Sequence, residues 1–221
     1  MAFVGIAGGL QQALFIAGNF TAARLHGANG TWPDLDMIPL DANWWLQGND
    51  HVERQDRGQT IATLWMMGRY PLVSAGALPL DNQTLSYLAN DDALALNRRG
   101  VSEADATLIT YEGNCTCTGG QGSCTIPHGP SVPAVAPCVA RWAASVRGST
   151  NWTALAMFNL GEAAADTATS FAQLGLPSSH DVSYRVQDVW TRNASNYAGD
   201  ESFAVLLRQH ASALLRITRI V

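Results

Sequence analysis

Apolar positions recur along the chain with two different periods, and the change between them falls near the middle. Leu10, Leu14, Ala17, Thr21 and Leu25 follow one another at helical spacing, which predicts an amphipathic helix over 8–26 closing near Gly27. Ile61, Leu64, Trp65 and Gly68 form a second stripe and predict a helix over 53–69. Pro71 ends it by pushing Tyr70 out of the helical region. Leu72 to Ala75 make a short apolar run suited to a buried strand. Leu80 to Leu88 predict a short third helix, and Ala93 to Asn97 a further extended piece. Helix, strand and helix joined by short connections belong to an α/β layer structure.

The character changes after about residue 104. Residues 113–137 are rich in Gly, Pro, Ser, Thr and Cys, the mark of a loop or insertion. From Trp142 onward the pattern is of short extended runs: Thr153 to Phe158, Thr167 to Phe171, Tyr184 to Trp190, and Ser212 to Ile220. Turns rich in Gly, Asn, Asp and Ser separate them at the intervals of a small β-sandwich. Residues 202–220 also fit a helical period in part. The chain therefore divides into 1–104, a Cys/Gly/Pro-rich segment over 105–138, and an antiparallel β-domain over 139–221. No internal repeat is present.

Composition narrows the function classes. Hydrophobic residues make up 47% of the 221 positions and charged residues 14%, against roughly a quarter charged in an average soluble chain. That balance excludes a disordered tail. The net charge of −5 and pI near 5.4 argue against a nucleic-acid partner. All 13 basic residues are Arg. Without Lys there is no Schiff-base chemistry and no phosphate loop of the GK[ST] type.

Sequons at Asn19, Asn29, Asn82, Asn114, Asn151 and Asn193 exceed the number expected by chance, about two. Cys115, Cys117, Cys124 and Cys138 lie close together, in the spacing C-x-C-x6-C-x13-C, which matches no common zinc pattern. Both features point to the secretory pathway and to disulfides, with three pairings open. Ala2 to Gly9 are apolar but lack a basic flank, so no signal peptide is recognised, and no run is long enough for a membrane span.

Candidate chemistry is sparse. Gly119-Gly120-Gln121-Gly122 follows no strand and opens no helix, so it is not read as a phosphate loop. His26, His51, His128, His180 and His210 are scattered, without an HExxH pattern, and no G-x-S-x-G elbow occurs. No metal site is predicted. Trp44-Trp45 suit either packing or stacking on a sugar face. Trp32-Pro33-Asp34-Leu35-Asp36-Met37 has the look of a site: on an extended segment Asp34 and Asp36 project to one face beside a rigid Pro and a Trp. The alternative is a turn cap at Asp34 and an Asp36–Arg ion pair.

At this motif the chain resembles the melibiases, the α-galactosidases of glycoside hydrolase family 27, whose members carry W-x-D-x-D-M at the end of a late barrel strand. The likeness continues in order. Arg57 to Trp65 resembles the family's helix ending in S-L-W-A, and Tyr70 to Leu78 its final strand, P-L-L-x-G-x-D-L. Leu85 to Leu88 and Ala93 to Asn97 resemble the segment L-x-x-L-x-N-x-E-V-x-A-x-N. Ala154 to Gly161 and Asp188-Val189-Trp190-Thr191 resemble stretches of its C-terminal β-domain. Leu35 stands where many members have Pro, Ala77 where the family has Asp, and Met157 where it has Leu.

The resemblance implies the C-terminal portion of a (β/α)8 TIM barrel over 1–104, followed by an antiparallel β-sandwich. A complete barrel needs about 250 residues, so the chain is expected to be part of a longer protein. Retaining glycosidases use two carboxyl groups about 5–5.5 Å apart. The family's pair lies upstream of W-x-D-x-D-M, one in a Y-x-K-x-D motif that a chain without Lys does not contain. No catalytic residue is thus assigned here, and the carry-over is confined to Trp32, Asp36 and Met37 as substrate-pocket residues. The implied activity is retaining hydrolysis of terminal α-D-galactosyl residues, without cofactor. An N-acetylgalactosamine or arabinose-like substrate is an alternative. The implied location is secreted or lysosomal/vacuolar, the implied partner an α-galactoside, and a homodimer is left open. A non-catalytic carbohydrate-binding module, with Trp142, Trp152 and Trp190 as stacking residues, is the alternative from another class.

Overall fold

In a computed structural model, the described residues are 37, 38, 40, 51–74, 79–98, 107–113, 116–117, 124–125, 138–146, 151–159 and 163–220. For 51–54, 107–113, 116–117, 124–125 and 138 this covers the backbone alone. The helix expected over 8–26, Trp32 to Asp36, Trp44-Trp45, Gly119 to Gly122, His26 and His128 lie outside the described residues.

Helix α1 (His51–Gly68) falls where the apolar stripe predicts it. Its surroundings differ from the amphipathic expectation, because Thr60 through Gly68 are buried on every side. Ile61, Leu64 and Trp65 are buried, and Thr60 and Thr63 are buried as well, on the face turned toward the β-domain. That face is covered by a β-sheet, and its polar groups find partners there. Thr60 Oγ1 donates to the His210 carbonyl at 2.9 Å and Gln59 Nε2 to the Ser212 carbonyl at 2.9 Å. Thr63 Oγ1 donates to the Gln59 carbonyl and accepts from Trp190 Nε1 and Ser212 Oγ. One hydroxyl thus uses its donor and both lone pairs.

Two short helices follow. In α2 (Asn82–Leu88) the Asp81 carboxylate accepts from the Thr84 N–H and hydroxyl, at 2.8 and 3.0 Å. Ala93 to Asn97, expected to be extended, belong to α3 (Asp91–Asn97). The cause is a cap: Asn90 Oδ1 accepts from the Asp92 and Ala93 N–H groups, and Asp91 and Asp92 add negative charge to the first turn.

Of the buried strand expected over Leu72 to Ala75, Ala75 lies outside the described residues; Ser74 forms a parallel bridge with Ile38, whose N–H donates to the Val73 carbonyl at 2.7 Å. Ile38 is buried, whereas Val73 and Ser74 are exposed. A parallel strand is buried only when neighbours and helices cover it, and among the described residues this one has a single bridge.

Among the described residues the β-domain holds β1 (Thr107–Gly113), β4 (Cys138–Val146), β5 (Trp152–Asn159), β7 (Ser183–Asp188), β8 (Ala194–Ala198) and β10 (Ser212–Arg219). They form a six-stranded antiparallel sheet in the order β1-β4-β5-β10-β7-β8. A second sheet pairs β6 (Ala165–Ser170) with β9 (Ser202–Leu207), and a small ladder pairs β2 (Thr116–Cys117) with β3 (Cys124–Thr125). The segment read as an insertion therefore contributes β1 to the large sheet. Residues 202–220, ambiguous by period, are two strands.

Three layers result. Trp142, Ala154, Ala156, Phe158 and Leu214 on one face of the large sheet join the core built on α1. Leu155, Met157, Tyr184, Leu215 and Ile217 on the other face pack with Phe171 and Phe203 beneath the β6–β9 pair. The strand β5 is buried on both faces for nearly its whole length, whereas β6 alternates. This is why Ala154 to Phe158 reads as a continuous apolar run. No described helix is long and apolar enough to cross a membrane.

Candidate functional site

Of the three residues assigned to a substrate pocket, Met37 alone lies among the described residues. It is 49% exposed, next to Ile38, which is fully buried. Consecutive residues of an extended segment face opposite ways, so the anchor at Ile38 turns Met37 outward. Val73, 54% exposed, lies on the bridged partner strand, and its carbonyl receives the Ile38 N–H. Trp32, Asp34 and Asp36 precede this point, outside the described residues.

What holds the bridge in place is the turn after α1. Asn97 Nδ2 donates to the Trp65 carbonyl at 3.2 Å and to the Tyr70 carbonyl at 3.0 Å, tying the end of α3 to both sides of that turn. Arg69 adopts a left-handed backbone, φ 55°. A Cβ on Gly68 would stand 2.2 Å from the Tyr70 ring, so glycine alone lets the ring fold back over the helix end. Tyr70 meets Trp65 edge-on at 6.1 Å, and burial pushes its hydroxyl well above the ordinary tyrosine pKa. The chain leaves α1 along one fixed path toward Met37.

The β-domain is fastened to the helices by charged contacts. Asp56 accepts two bonds from Arg208, at 2.7 and 2.6 Å. Asp92 accepts from Arg192 at 2.5 Å and from Arg216 at 2.6 Å. Asn90 Nδ2 donates to the Val189 carbonyl at 2.9 Å. In these ion pairs the acids sit on helices and the Arg residues on the β-domain. Sequence reasoning missed them all, although Asn90-Asp91-Asp92 is a readable cap.

The tryptophans entertained as sugar-stacking platforms are engaged in this same region. Trp142 and Trp152 are buried, with the Arg216 guanidinium 5.3 Å from the Trp152 ring centroid. Trp190 packs edge-on against Tyr87 at 5.4 Å and donates to Thr63. All three build the joint between helices and sheet, which removes the sequence support for a module binding sugar through them.

Among the described residues no cluster of His, Cys, Asp and Glu is arranged to hold a metal ion. His180 is exposed and His210 buried. Of the cysteines, Cys117 stands opposite Cys124 in the small ladder and Cys138 opposite Gly113 in the large sheet; Cys115 lies outside the described residues. Of the sequons, Asn82, Asn151 and Asn193 are exposed, and Asn19, Asn29 and Asn114 lie outside.

Residues 138–217 match the sequence family described as the alpha galactosidase C-terminal beta sandwich domain. No curated protein matches the chain by sequence. A family 27 β-L-arabinopyranosidase from Geobacillus stearothermophilus shares its fold with a TM-score of 0.66 at 22% identity, over 94% of this chain and 42% of that one. A putative α-N-acetylgalactosaminidase from Bacillus halodurans gives 0.63 at 21% identity, over 94% and 42%. An α-galactosidase from Saccharomyces cerevisiae gives 0.67 at 12% identity, over 97% and 51%. The chain thus spans about half, or less, of the solved structures it matches. Its fold is that of the C-terminal part of these TIM-barrel structures with the β-sandwich that follows, the fold that the W-x-D-x-D-M resemblance implies.

Proposed function

We propose that this chain, related to the family 27 glycoside hydrolases, supplies one wall of the sugar pocket and the C-terminal sandwich of a retaining α-galactosidase. The observation that carries the reading is the Ile38–Ser74 parallel bridge with Met37 exposed beside it. It supports a late pair of barrel strands presenting side chains at one end, where barrel enzymes bind their substrates. In this reading Trp32 offers a ring to the C–H face of the sugar, Asp36 accepts hydrogen bonds from its hydroxyls, and Met37 packs against the ring.

The reaction is a double displacement. A carboxylate attacks the anomeric carbon while a carboxylic acid protonates the departing glycosidic oxygen. The same acid, now a base, then takes a proton from the water that releases the sugar with its original configuration. This chain brings neither carboxyl group, by the resemblance, and acts by binding and orientation alone. The protein travels the secretory pathway, to the exterior or to a lysosome or vacuole.

Assays of 4-nitrophenyl α-D-galactopyranoside test the proposal, with the chain alone and with the product of the complete reading frame. The chain alone releases no nitrophenol. The complete product does, and NMR detects α-galactose as the first-formed anomer. Release by the chain alone overturns the claim that it lacks the catalytic pair. An inactive complete product overturns the α-galactosidase assignment, and activity restricted to the α-N-acetylgalactosaminide or β-L-arabinopyranoside redirects it.

A further inference from the structure

Among the described residues, strand β8 is an edge of the large sheet, bonded to β7 on one side and to no described strand on the other. The Asp188 N–H donates to the Asn193 carbonyl at 2.8 Å where the hairpin begins. Hydrogen-bonded pairs recur at every second residue of an antiparallel ladder. The outward main-chain groups of β8 are therefore those of Ala194, Asn196 and Ala198. The last is already capped: the Ala198 N–H donates to the Glu201 carboxylate at 2.7 Å. The remainder is open, with Ala194, Ser195 and Asn196 all exposed. The strand carries no charged residue and no proline, the usual means by which an edge is kept from pairing with another chain.

The sequon Asn193-Ala194-Ser195 begins at that open end. Its setting is rigid. Asp188 Oδ1 accepts from the Thr191 N–H at 2.6 Å, Arg192 is left-handed at φ 66°, and the Arg192 side chain is tied back to Asp92. Asn193 emerges from this turn exposed, and the sequon hydroxyl of Ser195 is exposed too. The other described sequons differ. At Asn82 the sequon Thr84 is buried at 2% and its hydroxyl is taken by Asp81. At Asn151 the sequon runs straight into β5, through the buried Trp152.

We infer that Asn193 carries an N-linked glycan which covers the β8 edge and keeps the sheet from extending into a second copy. The inference rests on the secretory reading above. A bulky hydrated chain at the start of the strand stands in for the missing charges, while Glu201 guards the other end.

The test is the full chain secreted from a eukaryotic host. Each sequon is scored by peptide mass after enzymatic deglycosylation in heavy-oxygen water, which marks every formerly glycosylated Asn as Asp. Asn193 is expected to be occupied in most molecules. Asn193→Gln and Ser195→Ala should each raise concentration-dependent association several-fold in light scattering and slow amide exchange at Ala194 and Asn196 as the protein concentration rises, with Asn82→Gln unchanged. Native deglycosylation of the purified protein should do the same, which covers the case in which a variant is not secreted. Adding Asn196→Lys to Asn193→Gln should reverse the added association by charging the edge. Occupancy elsewhere with Asn193 bare overturns this inference and leaves the secretory reading intact. No occupied sequon overturns both. An occupied Asn193 whose loss changes neither association nor exchange overturns the shielding role.

Discussion

Arg216 Nη1 donates to Asp92 Oδ1 at 2.6 Å, joining the first turn of α3 to the middle of β10. The Asp92 side chain is only 12% exposed and Arg216 24%, whereas Arg192, on the second carboxylate oxygen, is 50% exposed. The two contacts to one carboxylate therefore differ in worth. Removing the acid leaves Arg216 partly buried without that partner, so Asp92→Ala should lower the unfolding free energy by about 2–3 kcal/mol. Arg192→Ala should cost below about 1 kcal/mol, because water replaces most of what is lost. Urea denaturation with an unchanged slope checks both; equal costs would mean that burial does not set the difference.

Asn90 does two tasks with one amide. Its oxygen caps α3 and its nitrogen donates to the Val189 carbonyl in the β-domain. Asn90→Ala should cost about 2 kcal/mol, the sum of a cap and a buried bond to a carbonyl. Asn90→Asp keeps the cap and loses the donor, and should fall between the alanine variant and the wild type. A denaturation series of the three proteins reads the order directly.

Alkaline stability should follow Tyr70. Burial raises its pKa above the ordinary value of 10.0. Above that pH the unfolded chain releases a proton that the folded chain keeps, so folding stability falls as pH rises. Tyr87 adds a loss of the same sign, from burial first, opposed by the hydrogen bond from Gln83. Tyr70→Phe should make the decline shallower without removing it. Denaturation midpoints taken from about pH 8 to 11 measure the slope; an unchanged slope would place the alkaline sensitivity elsewhere.

The cysteines yield a pairing that spacing alone leaves open. Residues directly opposite in an antiparallel ladder have Cα atoms about 4.5–5.5 Å apart, inside the span of about 4.4–6.8 Å that a disulfide bridges. Cys117 and Cys124 hold such positions. A non-reduced peptide map of the secreted chain should therefore recover Cys117 linked to Cys124, leaving Cys115 for Cys138. A fragment joining Cys115 to Cys117 would show that the ladder does not direct oxidation.

Where local pattern and tertiary setting agree, the elements are legible in the order of residues. The stripe Ile61-Leu64-Trp65 predicts α1, Pro71 its end, and the small apolar run from Ala154 predicts β5. Ala93 to Asn97 differ: their alternation of Ala and Leu fits either period, and the Asn90 cap decides for helix. Strand β8 shows little alternation because it is an exposed edge, and β9 lies in 202–220, whose spacing fits a helical period as well. For the candidate site, Met37 was named from the motif, but neither Asn97 nor the Gly68–Tyr70 contact that fixes the path to it has any signal in its own neighbourhood.

By itself the sequence determined which segments are apolar, where helices cap and stop, the absence of Lys chemistry, and the family likeness carried by Trp32 to Met37. Only the tertiary structure decided that α1 is buried on all sides from Thr60 to Gly68 and that three tryptophans belong to a joint rather than to a surface. The reason is distance along the chain. Thr60 and Thr63 read as the polar side of a helix until partners about 150 positions away, at His210 and Ser212, accept and donate their hydrogen bonds. A hydroxyl that would cost free energy when buried alone becomes part of the core once those partners arrive.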